Sequence, residues 1–109
     1  MPFQNPFPQR LKEARKQAKL SQKALGIHIG MDESTASARM NQYEKGRHTP
    51  DVRTLKLIAD ALDVPLNYFF CEDEVSAELA IAISKLSTEQ KKQLAEIIAN
   101  LHLNNDDVD

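Results

Sequence analysis

Few side chains in this 109-residue chain are of a kind and spacing that do chemistry. His28, His48 and His102 are widely separated and none has a partner at metal-ligand spacing, so no zinc site is expected. The single cysteine, Cys71, stands beside Glu72 and Asp73, whose charges disfavour a thiolate, and one cysteine cannot form an intrachain disulfide. No nucleophile-base pair or carboxylate constellation is legible, so neither catalysis nor a cofactor is expected. What remains is Leu20 to Pro50, LSQKALGIHIGMDESTASARMNQYEKGRHTP, where amide, small and cationic side chains gather around a glycine. At about 100° per residue, Ala36, Met40 and Tyr43 share one narrow helical sector, and Ala38, Asn41, Gln42 and Lys45 point away from it. An amide can engage N6 and N7 of adenine together and a lysine suits a phosphate, so this outer face has the chemistry of a major-groove reader. Any surface helix is polar outside; the glycine and the basic flanks distinguish this one. Arg39 falls on the flank of the helix, where a salt bridge or phosphate contact ranks ahead of a base edge.

The elements that must position this face read as an all-α string. Met1 to Pro8 holds Pro2, Pro6 and Pro8 and reads as an irregular arm. A first helix follows, with Leu11, Ala14, Ala18 and Leu20 as its apolar stripe. Ser21 caps a short second helix carrying Leu25 and Ile29, and Gly30 provides the turn. A third helix begins at Asp32, Ser34 or Thr35 and stops at Gly46; Asp51 caps a fourth with Leu55, Ile58, Ala59 and Leu62 on one face. Pro65 opens a brief fifth turn through Phe69 and Phe70. Tyr43, Tyr68, Phe69 and Phe70 are read as core rather than as base-stacking residues.

Charge divides along the same line. The net charge is −2, yet eleven Lys and Arg face seven Asp and Glu up to Phe70, while three face nine from Cys71 onward. A basic half joined to an acidic half suggests a polyanion-facing module attached to something that stays off the polyanion. No stretch approaches the ~18 apolar residues of a membrane span. With no signal-peptide pattern either, a soluble protein of a reducing cytoplasm is expected.

These residues resemble the lambda-repressor-like helix-turn-helix family, also called the XRE family. The matches lie in order: RLKEARKQAKLSQ from Arg10 to Gln22, Leu25, Gly30, Tyr43-Glu44-Lys45-Gly46, Thr49-Pro50, and LKLIADALDVPLNYFF from Leu55 to Phe70. The resemblance implies a five-helix domain over residues 9–70 that binds double-stranded DNA. It implies Ser37, Ala38 and Gln42 at base edges, and Gln22, Lys23, Lys45, Arg47 and His48 along the phosphate backbone, to which the outward Asn41 is added. It also implies a structural brace between Arg15 and Glu44. Three departures stand out. Gly26 replaces the usual alanine inside the second helix, at a cost of up to ~1 kcal/mol in propensity. The chain from Gly30 to Glu44 is about one helical turn longer than usual, so Ser34 and Thr35 are candidates for an extra turn. Asp63 replaces the usual glycine after the fourth helix, where a left-handed cap suits aspartate better than most residues.

Beyond Asp73 the residues are read without that family. Val75, Leu79, Ala82, Ile83 and Leu86 form one stripe, Ser87 to Gln90 a capping box, and Leu94, Ile97, Ile98 and Leu101 a second stripe. An antiparallel hairpin over residues 71–103 is expected, followed by an acidic tail at 104–109. Leu79, Ile83, Leu94, Ile97, Ile98 and Leu101 are the candidate interface of a homodimer, in keeping with a repressor on a palindromic operator. The rival use of the same stripes is to hold a protein partner, as in an antitoxin whose DNA domain serves autoregulation.

Overall fold

The computed structural model describes residues 2–108, with side chains described through Asn104. Its elements are α1 (Phe7–Gln17), α2 (Gln22–His28), α3 (Ala36–Glu44), α4 (Val52–Leu62), a 3-10 turn (Leu66–Phe70), α5 (Glu74–Ser84) and α6 (Thr88–Val108), and the fold is all-helical among the described residues. No helix there is long and apolar enough to cross a membrane.

The first helix starts two residues earlier than its prolines suggest. Pro8 sits in the opening turn, where its missing N–H costs nothing, and Asn5 Oδ1 accepts the Phe7 N–H at 3.0 Å. The irregular arm therefore ends at Pro6, not Pro8, and Phe7 enters the core at 3% exposure. At the other end α1 stops before the expected stripe does. Lys19 turns left-handed with φ +60°, Ala18 is exposed, and Leu20 reaches the core from the loop. Ser21 Oγ accepts the Ala24 N–H at 2.9 Å and Asp51 Oδ1 accepts the Thr54 N–H at 2.8 Å, so α2 and α4 carry the caps their sequences promise. Asp63 ends α4 in the left-handed region with φ +56°.

One apolar core unites these elements: Phe7, Leu11, Leu25, Met40, Ile58 and Phe69 are all but fully covered. Phe69 meets Phe7 and Tyr68 edge to face, with ring centroids 5.4 and 5.5 Å apart. The same core admits Ala77 and Ala80 of α5. Its boundary thus lies beyond Phe70, because the small residues of α5 let that helix lie close over Tyr68 and Phe69.

The last helix behaves differently. Ser87 and Gln90 exchange the two capping-box bonds, Gln90 N–H to Ser87 Oγ at 3.1 Å and Ser87 N–H to Gln90 Oε1 at 2.9 Å. From there α6 runs through Val108, so the segment expected as a tail continues the helix. Among its described side chains only Leu94 is half-buried; Ile97, Ile98, Leu101 and Leu103 are each more than half exposed. The two stripes therefore do not cover one another as the expected antiparallel pair would. The radius of gyration is 16.9 Å, against roughly 13 Å for a compact chain of this length.

Candidate nucleic-acid interface

The geometry of the reading face begins with a polar brace inside the domain. Arg15 of α1 grips Glu44 of α3 with Nε to Oε2 at 2.5 Å and Nη2 to Oε1 at 3.1 Å, and its Nη1 donates to the Leu20 carbonyl at 2.8 Å. The Glu44 side chain is only 3% exposed, so this forked pair is held away from water. Gln22, the first residue of α2, donates from Nε2 to Glu44 Oε1 and to Asn41 Oδ1, each at 3.2 Å. One network thus ties α1, α2 and α3 together, and Asn41 keeps its Nδ2 hydrogens for another acceptor.

On that frame α3 exposes Ser37, Ala38 and Arg39, with Gln42 half-buried behind them, while Ala36, Met40 and Tyr43 face the core as their spacing requires. Ala38 and Gln42, and likewise Ser37 and Asn41, are one turn apart and form adjacent rows on a single surface. After α3, Gly46 turns with φ +72°, and the Arg47 and His48 N–H groups both donate to the Gln42 carbonyl at 3.0 and 3.4 Å. The exposed Arg47 and His48 are therefore tied to the backbone of Gln42, and the exposed Lys45 to that of Asn41, whose carbonyl accepts its N–H at 2.9 Å. Ala38, Arg39, Gln42, Tyr43, His48 and Thr49 line an open depression of about 420 Å³ on this face. Thr49 enters the family match only beside Pro50 and carries no site role in the sequence, because its place in this depression depends on how the loop after Gly46 folds back. Arg39 makes no ion pair among the described residues, so the salt bridge that its sequence position suggested does not form within the chain.

Lys23 sits at the edge of this surface and pairs with Glu33 at 3.3 Å; both side chains are more than half exposed. An exposed pair of this kind contributes ~0 to 1 kcal/mol.

The longer segment before α3 has a specific form. Asp32 takes the Ser34 N–H on its carboxylate at 3.1 Å, along with the Ser34 hydroxyl, and its carbonyl accepts the Thr35 and Ala36 N–H groups at 3.1 and 2.9 Å. Those bonds hold the Asp32 carboxyl below the usual aspartate range, the Ser34 hydroxyl first and its N–H second. Glu33, Ser34 and Thr35 become a hydrogen-bonded turn, and α3 starts at Ala36 without a side-chain cap. Gly26 explains why Ala36 fits there. A Cβ at Gly26 would lie 2.8 Å from Ala36 Cβ and 3.1 Å from Ala36 Cα and O, so the missing side chain is what lets α2 and the start of α3 meet. Two departures from the family pattern, the glycine and the longer turn, are one structural feature.

The candidate interface residues at the far end divide in the same way. Ile83 and Leu94 are half-buried, whereas Leu79, Ile97, Ile98 and Leu101 are 52–59% exposed.

Residues 11–69, more than half of the chain, match the family model described as Helix-turn-helix. The uncharacterized HTH-type transcriptional regulator YqaE of Bacillus subtilis (strain 168) is 39% identical over 62 residues, 57% of this chain; the chain spans half the length of that curated relative. The crystal structure of transcriptional regulator BswR superposes with a TM-score of 0.78 at 48% identity, covering 86% of this chain and 93% of that one. The chain belongs to the helix-turn-helix family, of the lambda-repressor-like (XRE) type, and residues 11–69 are its DNA-binding domain.

Proposed function

We propose that the protein is a cytoplasmic, sequence-specific transcriptional regulator that binds a palindromic operator as a homodimer and represses by occupying it. The observation that carries this reading is the rigid reading face: α3 presents Ser37, Ala38 and Gln42 side by side on a helix locked by the Arg15–Glu44–Gln22–Asn41 network. In this reading those three side chains meet base edges, and Gln22, Lys23, Asn41, Lys45, Arg47 and His48 hold the sugar-phosphate backbone on either side. Two copies joined through the exposed apolar residues of α5 and α6 place two reading helices on one face of the duplex.

Selection of bound sequences from a random duplex pool tests it. The expected product is an inverted repeat with half-site centres about 34 to 36 Å apart, or a multiple of that. Repeating the selection with Gln42→Ala is expected to relax one base pair per half-site and to weaken specific binding by roughly 1 to 3 kcal/mol, with nonspecific binding nearly unchanged. An unstructured pool after selection would sink the regulator reading, and an identical motif for parent and variant would remove Gln42 from base readout.

A further inference from the structure

Arg10 is the one buried charged residue among those described, at 5% exposure, and it belongs neither to the reading face nor to the brace beneath it. From α1 its Nε donates to the Cys71 carbonyl at 2.9 Å, while Nη1 reaches Glu13 Oε2 at 2.8 Å and Glu74 Oε2 at 2.9 Å. Cys71 opens the three-residue connection to α5, and Glu74 is the first residue of that helix. One planar guanidinium therefore holds both the connection and the helix that follows it. At the other end of α5, Lys85 Nζ binds the Asp63 carboxylate at 2.5 Å, and Ala77 and Ala80 are packed into the core between.

A buried charge pair is a poor means of raising stability, since apolar residues of similar volume often do as well or better. Its forked geometry does fix direction, because each donor is aimed at a different acceptor. We propose that Arg10 is a positioning residue that sets which half-site spacing the protein accepts, by holding α5 at a fixed angle to α3; this rests on the reading of α5 and α6 as the dimer contact. Duplex DNA makes that angle matter. One added base pair moves a half-site by about 3.4 Å and turns it by roughly 34° about the axis, which a rigid dimer cannot follow.

The experiment uses the full chain and the inverted repeat recovered by selection, rebuilt with one base pair added or removed between half-sites. The parent is expected to lose roughly 100-fold in affinity on either altered spacer, since simultaneous engagement is forfeited. Arg10→Met and Glu74→Ala are expected to lose less than roughly tenfold, while single half-site affinity and sedimentation stay those of the parent. Glu74 is 66% exposed on its side chain, so its variant keeps the fold even if Arg10→Met does not. Arg10→Lys, whose single ammonium cannot hold the Cys71 carbonyl and the Glu74 carboxylate in the same forked geometry, should fall between. A dimeric parent whose spacer profile is unchanged in the Glu74→Ala protein overturns the spacing role alone. A parent that sediments as a monomer overturns the dimer reading and the spacing role together.

Discussion

From Phe7 to Phe70 each helix contributes covered side chains to a common core, whereas α6, the longest helix, leaves Ile97, Ile98 and Leu101 more than half exposed. The two regions are built from the same residue types, with apolar side chains at helical spacing, and differ in what stands opposite. In the reading domain, α1, α2, α3 and α4 face one another across Leu11, Leu25, Met40 and Ile58. On α6, among the described side chains, Leu94 is half-buried while Ile97, Ile98, Leu101 and Leu103 stay more than half exposed. Helices gain most of their stability from packing of an apolar face, so the first region carries its own packing and the second leaves most of its apolar face uncovered. α5 lies between the two, with Ala77 and Ala80 in the core and Leu79 outside it.

The largest expected effect tests the proposal that a second copy covers that face. Ile97→Asp places a charge in the middle of the exposed stripe and is expected to yield a monomer with palindrome affinity reduced by roughly 10² to 10⁴, the range that joining two sites confers. Removal of everything after Lys85 should do the same. A cut after Asp73 would also strip Ala77 and Ala80 from the core and blur the comparison. Sedimentation and binding to single and paired half-sites measure both. A truncated chain that still dimerises would move the contact into the reading domain and make α6 a surface for another protein.

Next in size is the brace that makes the reading domain self-sufficient. Glu44→Ala leaves the Arg15 guanidinium, with its side chain 11% exposed, without its carboxylate. It is expected to cost about 3 to 5 kcal/mol in denaturant unfolding, the usual effect of orphaning one partner of a buried pair. Gln22 loses one of its two acceptors at the same time. An unfolding midpoint near that of the parent would show that α1, α2 and α3 are held by apolar packing alone.

Gly26→Ala probes the contact particular to this chain. Alanine should gain up to ~1 kcal/mol of helix propensity, but its methyl would press on Ala36 at 2.8 Å, and overpacking of that kind costs about 1 to 3 kcal/mol. Net destabilisation is expected, with partial relief in the Gly26→Ala, Ala36→Gly double variant. If Gly26→Ala proves more stable than the parent, the close approach of α2 and α3 is not required.

The comparison also separates what was legible in the sequence from what was not. Period and caps disclosed the helices: Leu55, Ile58, Ala59 and Leu62 are buried together, Ser21 and Asp51 cap as their types suggest, and Asp63 takes the left-handed turn. The Arg15–Glu44 pair was available only through resemblance, since nothing in the spacing of two residues on different helices announces it. Gly26 and the long turn were visible as two oddities, and only the fold shows that they touch. Arg10 gave no sign at all. It lies among the exposed cations Lys12 and Lys16, and its burial depends on where Cys71 and Glu74 return in space. For α6 the stripe was clear, but periodicity does not reveal whether its complement lies in the same chain.

The smallest expected effect extends the comparison to acid. Asp51 at the start of α4 and Asp73 at the start of α5 are both held below the usual aspartate range, first by the backbone N–H of Thr54 and of Ser76 respectively. α6 is capped by Ser87, which does not titrate. A carboxyl lowered by folding contributes stability that is fully present above its unfolded value and is lost as pH falls through the folded one. The caps of α4 and α5 should therefore weaken as pH drops from the ordinary aspartate range downward, while the cap of α6 does not. Asparagine accepts the same N–H bond without charge, so Asp51→Asn isolates this contribution. The parent should be the more stable at neutral pH, and the two unfolding curves should converge as the medium becomes more acidic than the folded value. Curves that stay parallel across that window would assign the stability of α4 to its packed face, Leu55 to Leu62, and leave its charged cap without a part in it.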